Sequence, residues 1–283
     1  KELKELILAN LRKLSKTSDA DKPYLYIDRV FSPKGVGTVI TGTLKNGIFK
    51  ENDMVTLLPL KREVKIKKIE SHYRELTEGV PSQRTALNLS NVSLDELKRG
   101  DIVCRNNFFT ETDDIVAWFK PLDKKKKIRN NTYVEILSGT NSATGKIILF
   151  EESDIEEYRP VRIHFEEKTF VYPGQPFVLT NPGGFRIIGG GKIVLPLYST
   201  KQKNKIKKYS SIIKNFSAEE LILFLIATSG YLRKEGIFDS FPHSKKFLER
   251  IIADKSEKQE IHIKSEYIFS RDFYEESLEK VNK

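Results

Sequence analysis

Residues able to hold phosphate, metal or a covalent intermediate are few in this sequence, and their spacing limits what they can do. Gly35-Val36-Gly37 lacks the third glycine of a dinucleotide fingerprint, because Ile40 stands in its place. Gly189-Gly190-Gly191-Lys192 has Arg186 where a phosphate loop needs its first glycine, and Ile193 where Ser or Thr must meet magnesium. Gly145-Lys146 fails the same way, with Ile147 following. All three read as turn and bulge glycines. His72, His164, His243 and His262 lie far apart, and the single cysteine, Cys104, cannot anchor a zinc cluster. No nucleophile-elbow sequence is present. Neither catalysis nor a bound metal or nucleotide is expected of this chain. What remains is positive charge. The run Lys124, Lys125, Lys126, Lys127, Ile128, Arg129 and the separate Lys245, Lys246 and Lys264 can contact RNA phosphates. Each reads equally well as a solvated face, since no aromatic interleaving marks a base-stacking site.

Composition bounds the partners. The 283 residues carry 49 Lys and Arg against 39 Asp and Glu, a formal net charge of +10. That sign suits RNA or DNA before a membrane surface, with a generally Lys-rich composition as the plainer explanation. One cysteine excludes an internal disulfide framework and fits a reducing, cytoplasmic setting. No apolar run approaches membrane-spanning length and no signal-peptide pattern opens the chain, so no membrane partner is expected. The first residue is Lys1 rather than Met, and a fragment with missing parts upstream is expected.

Several kinds of element must position these residues. Leu3, Leu6, Ile7, Leu11 and Leu14 fall at helical spacing and predict a helix over 1–14 whose apolar stripe needs a partner. A polar linker runs from Ser15 to Lys22. Short strands follow near Tyr24–Ser32, Thr38–Leu44, Met54–Leu60, Glu63–His72, Arg84–Leu89 and Asp101–Arg105, separated by turn signals such as Asn46-Gly47 and Arg99-Gly100. A second set lies near Asp114–Phe119, Thr132–Leu137, Lys146–Phe150, Tyr158–Phe165, Gln175–Thr180 and Phe185–Leu195. Trp118 and Phe119, inside a strand, read as core. Beyond a Lys-rich connector over 201–208, Ser217-Ala218-Glu219-Glu220 reads as a capping box opening a helix that Gly230 stops. A helix over 244–253, a hairpin around Ser265-Glu266 and a last helix capped by Asp272 complete a winged-helix-like pattern. The fold class expected is mainly β: two consecutive β-barrels over 23–108 and 109–197, then a connector and a small α/β winged-helix domain over 198–283, with 1–22 as leading helix and linker.

The stretch IDRVFSPKGVGTVITGTL, from Ile27 to Leu44, reads as two strands around a turn supplied by Pro33, Lys34, Gly35 and Gly37, with Ile27 and Phe31 spaced to share a face. Followed in order by NGIFKENDMVTLLP, SQRTALNLSNV and LKRGDIVC, it resembles domain 2 of the elongation factors, a barrel of translational GTPases, from about Pro23 to Asn107. Tyr172-Pro173-Gly174-Gln175, NPGGFRIIGGGKIVLP and the tail are similar to the selenocysteine-specific branch, in which a G domain and two barrels precede a string of winged helices. The leading helix is similar to the last helix of that G domain. Two local departures stand out. Pro81-Ser82 precedes Gln83-Arg84 where the family has Gly, and Ser138 precedes Gly139-Thr140 where it has His.

The resemblance implies a monomeric, aminoacyl-tRNA-binding portion of a factor that carries selenocysteinyl-tRNA to the ribosome. GTP and Mg2+ would belong to the missing G domain. An mRNA hairpin would be met through winged helices, although the tail after Pro196 has room for about one. The alternatives are a factor carrying ordinary aminoacyl-tRNA, or a winged-helix nucleic-acid-binding protein whose barrels are scaffold. By the same resemblance, Asp28, Arg29 and Arg84 match the positions that line the selenocysteine pocket. A selenol is more acidic than a thiol and is an anion at neutral pH, whereas serine is neutral. Two guanidiniums would bond the anion, with Asp28 holding them in place, and a hydroxyl would leave them poorly paired.

Overall fold

A computed structural model describes residues 2–13, 21–105, 108–123, 128–151, 158–184 and 186–281. The leading helix α1 spans Glu2–Lys13, with Leu3, Leu6 and Ile7 exposed. The first set of strands is β1 (Tyr24–Tyr26), β2 (Arg29–Phe31), β3 (Val39–Thr43), β4 (Phe49–Lys50), β5 (Met54–Leu58), β6 (Arg62–Ser71), β7 (Arg74–Leu76), β8 (Glu78–Gly79), β9 (Arg84–Leu89) and β10 (Ile102–Cys104). Seven of them hydrogen-bond in the order β1-β10-β5-β6-β9-β3-β2, β7 pairs with β6, and β4 pairs with β8. β1 and β2 belong to one extended segment, so the path ends beside its own beginning. Each inward residue thus finds partners on every side: Ile27, Ile40, Phe49, Leu57, Ile66, Ile69 and Leu87 are completely buried.

The sequence predicts one alternating strand over 24–32, and the structure breaks it at Ile27-Asp28. The Ile27 N–H donates to Asp101 on the β10 side (2.8 Å), and the next N–H, of Asp28, donates to Thr41 on the β3 side (2.7 Å). The chain changes neighbours there, and alternation cannot continue through the change. Ile27 is buried while Phe31 is exposed, so the two do not share a face.

The second set is β11 (Thr110–Pro121), β12 (Thr132–Ser138), β13 (Asn141–Leu149), β14 (Arg159–Val171), β15 (Pro176–Thr180) and β16 (Ile187–Leu195), a closed antiparallel barrel in the order β11-β14-β13-β12-β15-β16. β11 and β14 run well beyond their expected lengths because they pair with each other from Thr110–Val171 to Phe119–Arg159. Gly189, Gly190 and Gly191 lie within β16 rather than in a turn. A Cβ at 191 would strike the backbone of Trp118, so only glycine permits that approach. Phe119 fills the barrel interior, whereas Trp118 points outward and packs edge-on against Phe224, 5.1 Å between centroids.

An aromatic seam joins the barrels. Phe108 and Phe109 stack at 4.5 Å, Tyr24 and Tyr172 meet them edge-on, and the two tyrosine hydroxyls bond at 2.9 Å. Edge-to-face rings with paired hydroxyls have few alternative packings, so the seam fixes orientation as well as burying apolar area.

The remaining elements are α2 (Lys203–Lys208), α3 (Ala218–Ser229), β17 (Tyr231–Arg233), α4 (Lys234–Ser240), α5 (Lys245–Glu257), β18 (Ile261–Lys264), β19 (Tyr267–Ser270) and α6 (Arg271–Val281). The Lys-rich stretch is helical because Ile206 buries against the core. The Ser217 capping box forms as expected, with Glu220 N–H on Ser217 Oγ at 3.2 Å, and Gly230 closes α3. Asp272 does not cap α6. Ser270 Oγ accepts the Phe273 N–H (3.3 Å), and the Asp272 carboxylate is engaged by Lys208 and Tyr209, each at 2.7 Å. This α/β unit also reaches the first barrel. Lys22 Nζ donates to the carbonyls of Phe238 and Phe241 at the end of α4, and Asn46 Nδ2 donates to Pro242 (2.7 Å).

Candidate functional site

The break at Ile27-Asp28 delivers Asp28 and Arg29 to the outside of the first barrel. Arg29 sits opposite Thr41, Thr41 opposite Ala86, and Thr43 opposite Arg84. With side chains alternating along each strand, Arg29, Thr41, Thr43 and Arg84 share the outer face. Arg84 leans one row across: its Nη2 meets Thr41 Oγ1 at 3.3 Å and Asp28 Oδ2 at 2.9 Å. The Arg29 side chain, exposed beside Asp28, makes no hydrogen bond or ion pair among the described residues. The structure thus brings together the three residues singled out from sequence.

It also adds a fourth. Arg99, in the loop before β10, approaches Asp28 Oδ1 at 3.9 Å. Two guanidiniums then face one carboxylate, and with Arg29 next to Asp28 in the chain and uncommitted the cluster keeps an excess of positive charge. The signal was present in the sequence, since Arg99 precedes the turn glycine Gly100 in LKRGDIVC. Only the closure of the sheet places that turn next to Asp28.

The second barrel holds this corner in position. The Ile27 carbonyl accepts from Gly100 N–H (2.9 Å) and from Thr140 Oγ1 (2.7 Å), and Asn141 Nδ2 donates to the Gly100 carbonyl (3.2 Å). Thr140 follows Gly139, whose φ of +63° and close approach to the Tyr26 ring both require glycine. Ser138, where the family has His, accepts from Gln175 Nε2 (2.9 Å) and donates to the Pro176 carbonyl (2.7 Å). The departure therefore serves the turn itself.

The Arg84–Asp28 pair contributes little stability. Arg84 is 54% and Asp28 24% exposed in their side chains, and exposed pairs give at most about 1 kcal/mol. Its consequence is geometric, because it directs one guanidinium and, with Arg99 close by, limits repulsion between the two. Cys104 is no reactive group. Burial pushes its thiol up to about 12.

The other basic residues scatter. Lys124 to Lys127 lie outside the described residues, and Arg129 is exposed ahead of β12. Lys245 and Lys246 are exposed in the first turn of α5, with Lys245 over the Phe238 ring at 5.3 Å and near Glu249 at 4.0 Å. Lys264 ends β18 on the three-stranded sheet. Among the described residues no group of three or more His, Cys, Asp or Glu side chains could hold a metal ion. No helix among the described residues is long and apolar enough to cross a membrane.

The family model for elongation factor Tu domain 2 matches residues 37–104. That match falls on the first barrel. The chain as a whole is SelB-like, similar to the selenocysteine-specific elongation factors. The one from Haemophilus influenzae is 31% identical over 218 residues, 75% of this chain and 34% of that protein. The one from Desulfomicrobium baculatum is 23% identical over 210 residues, 73% and 33% respectively. Elongation factor 1-alpha of Pyrobaculum arsenaticum is 33% identical over 99 residues, covering 34% of this chain and 22% of that protein. A crystal structure of bacterial selenocysteine-specific elongation factor EF-Sec superposes with a TM-score of 0.77 at 21% identity, covering 99% of this chain and 45% of that one. Apo SelB from Methanococcus maripaludis gives 0.59 at 24% identity, covering 68% and 47%. The chain spans about a third of the length of the curated selenocysteine-specific relatives it matches.

Proposed function

We propose that this chain is the aminoacyl-tRNA-binding portion of a selenocysteine-specific elongation factor, which delivers selenocysteinyl-tRNA to the ribosome. In this reading GTP and Mg2+ belong to a G domain of the whole factor, which hydrolyses GTP, and this chain supplies the amino-acid pocket. The observation that carries the proposal is the outer-face cluster: Arg84 held by Asp28 at 2.9 Å, Arg99 close by, and Arg29 left free to bond a ligand. A selenolate meets two or more permanently protonated donors and forms charge-assisted hydrogen bonds. A seryl hydroxyl offers no charge, and the covered guanidiniums would then lose water without repayment in hydrogen bonds. Asp28 keeps the donors in place and, being anionic, discourages binding of the carboxylates of aspartyl or glutamyl groups at its own position. The barrels and the α/β end would form one RNA-facing body.

The whole factor, its G domain loaded with nucleotide, tests this in equilibrium binding to tRNAs carrying selenocysteine, cysteine or serine. Selenocysteine should bind tightest and serine weakest. Raising the pH through the cysteine thiol's titration should strengthen the cysteinyl complex alone. Equal affinities for selenocysteinyl- and seryl-tRNA would leave a factor for ordinary aminoacyl-tRNA as the better description.

A further inference from the structure

The three-stranded sheet of the α/β unit buries one face and opens the other. Its register aligns Ile263, Ile268 and Leu232 in one row, and these pack into the helical core with Ile261. The flanking rows are His262, Phe269 and Tyr231, then Lys264, Tyr267 and Arg233. Alternation sends all six to the opposite face. Four are rings and two are cations.

The rings form a continuous surface. Tyr231 lies 5.8 Å from Phe269 and 6.0 Å from Tyr267, and Tyr267 lies 6.3 Å from Phe269. Arg233 spreads over the Tyr267 ring at 5.4 Å, and its Nε donates to the Tyr267 hydroxyl at 3.2 Å. α6 forms a wall at one end. There Tyr274 stacks on His262 at 4.3 Å, and Phe273 lies parallel to Phe269 at 6.4 Å. The other end is open, with Tyr231 49% exposed and Arg233 and Lys264 exposed. Glu266 and Glu235 lie near Arg233, so the positive charge is local rather than a broad field.

The seat of α6 accounts for Phe273, Tyr274, Phe269 and His262. It touches one edge of Tyr231, whose ring lies 5.7 Å from Phe273 yet stays 49% exposed, and it does not account for Tyr267, Arg233 and Lys264 at the open end. A surface made to dock an apolar protein segment would not keep a guanidinium and an ammonium in the same row as its central ring. Rings flanked by cations on an antiparallel sheet match unpaired nucleotides instead: the rings stack on bases and the cations meet the phosphates between them. A duplex hides its base faces and cannot use such a floor.

We infer that this sheet face binds single-stranded RNA, seating about two bases on Tyr231 and Tyr267, with Arg233 and Lys264 on the backbone. The site is separate from the exposed lysines of α5. It rests on the reading that the chain works on RNA but uses no barrel residue. Loss of amino-acid discrimination would therefore sink the pocket and leave this site standing.

The test is fluorescence anisotropy of the chain with a labelled, unstructured RNA of about ten nucleotides, within the site sizes of sheet-based binders, against a blunt duplex of the same sequence. The single strand should bind more tightly. Tyr231→Ala and Tyr267→Ala should each weaken it about fivefold or more, Tyr267→Phe should stay close to wild type, and Arg233→Ala should flatten the salt dependence. Melting curves establish that each variant is folded. Equal binding of the duplex, wild-type affinity in both alanine variants, or no binding of either RNA would overturn the inference.

Discussion

Arg84→Ala separates selection from mere affinity. In the folded protein Arg84 bonds Asp28 at 2.9 Å and Thr41 at 3.3 Å, and its side chain is 54% exposed. Removing it should lower stability by no more than about 1 kcal/mol, the range of exposed ion pairs. A bound selenolate loses one charged donor, and a hydrogen bond to a charged group contributes about 1.5–3 kcal/mol. At about 1.4 kcal/mol per tenfold, the gap between selenocysteinyl- and seryl-tRNA should narrow by about ten- to a hundredfold. The loss should fall on the selenocysteinyl complex. Seryl-tRNA should hold its affinity or gain slightly, because the substitution removes a donor that serine leaves poorly paired. Equilibrium binding of both tRNAs to the whole factor reads the two constants separately, and a melt of the same preparation checks the fold. If both constants fall by the same factor, Arg84 contacts something common to the two tRNAs, such as a phosphate. The reasoning about the pocket is then wrong.

Three further outcomes follow from the structure. Gly139→Ala forces a positive φ on a residue with a Cβ and drives that Cβ into the Tyr26 ring; overpacking of this kind should cost about 1–3 kcal/mol, read from the denaturant midpoint, and an unshifted midpoint would mean the turn does not clamp the barrels. Lys22→Met removes the donor to the Phe238 and Phe241 carbonyls while relieving an ammonium whose pKa burial lowers. The two effects oppose, so a loss of about 1 kcal/mol is expected with faster amide exchange at the end of α4, and unchanged exchange there would show that the contact holds nothing. Glu96 is held down to about 2 by Arg62 and by the Ser93 N–H and hydroxyl. Its folded pKa lies below the ordinary 4.5, so the stability it lends is fully present above that value and disappears as pH falls towards 2. A carboxyl NMR titration should find its midpoint well below those of other glutamates, and Arg62→Ala should return it to the ordinary range.

What the sequence showed and hid follows from how far apart the deciding residues lie. Strands and their turns were legible because alternation and Asn-Gly or Arg-Gly signals are local, and the Ser217 box was legible for the same reason. The break at Ile27-Asp28 was not, since it depends on Asp101 and Thr41 reaching the segment from opposite sides. Asp28, Arg29 and Arg84 came from resemblance; their charges alone fit an exposed strand pair. Arg99 joined them only through closure of the sheet. Asp272 carried a sound local signal for a cap and lost the role to Ser270, because Lys208 and Tyr209, more than sixty residues away, engage its carboxylate. In the α/β unit the rings of 231, 267 and 269 alternate with residues of the core, yet three short strands from separate segments must pair before they form one surface. Lys264, read from the sequence without an aromatic partner, lies beside Tyr267 and in one row with Arg233 in the sheet.

The candidate pocket draws on contacts from both barrels, and in the proposed reading that constrains how it responds to RNA. Asp28 follows the residue whose carbonyl receives Gly100 from the first barrel and Thr140 from the second. Asp28 and Arg29 are tied to β3 of the first barrel, through the Asp28 N–H to Thr41 and the Arg29–Thr41 pairing, and Arg84 on β9 pairs with that same strand. A small rotation of one barrel on the aromatic seam would therefore act on the cluster through the Thr140 bond to the Ile27 carbonyl. In the proposed reading, a tRNA lying across both barrels would pull on this contact beside the candidate pocket, so binding of the acceptor arm and recognition of the side chain should be energetically coupled. An isolated first barrel, lacking the support of Thr140, should keep its core but lose part of its discrimination.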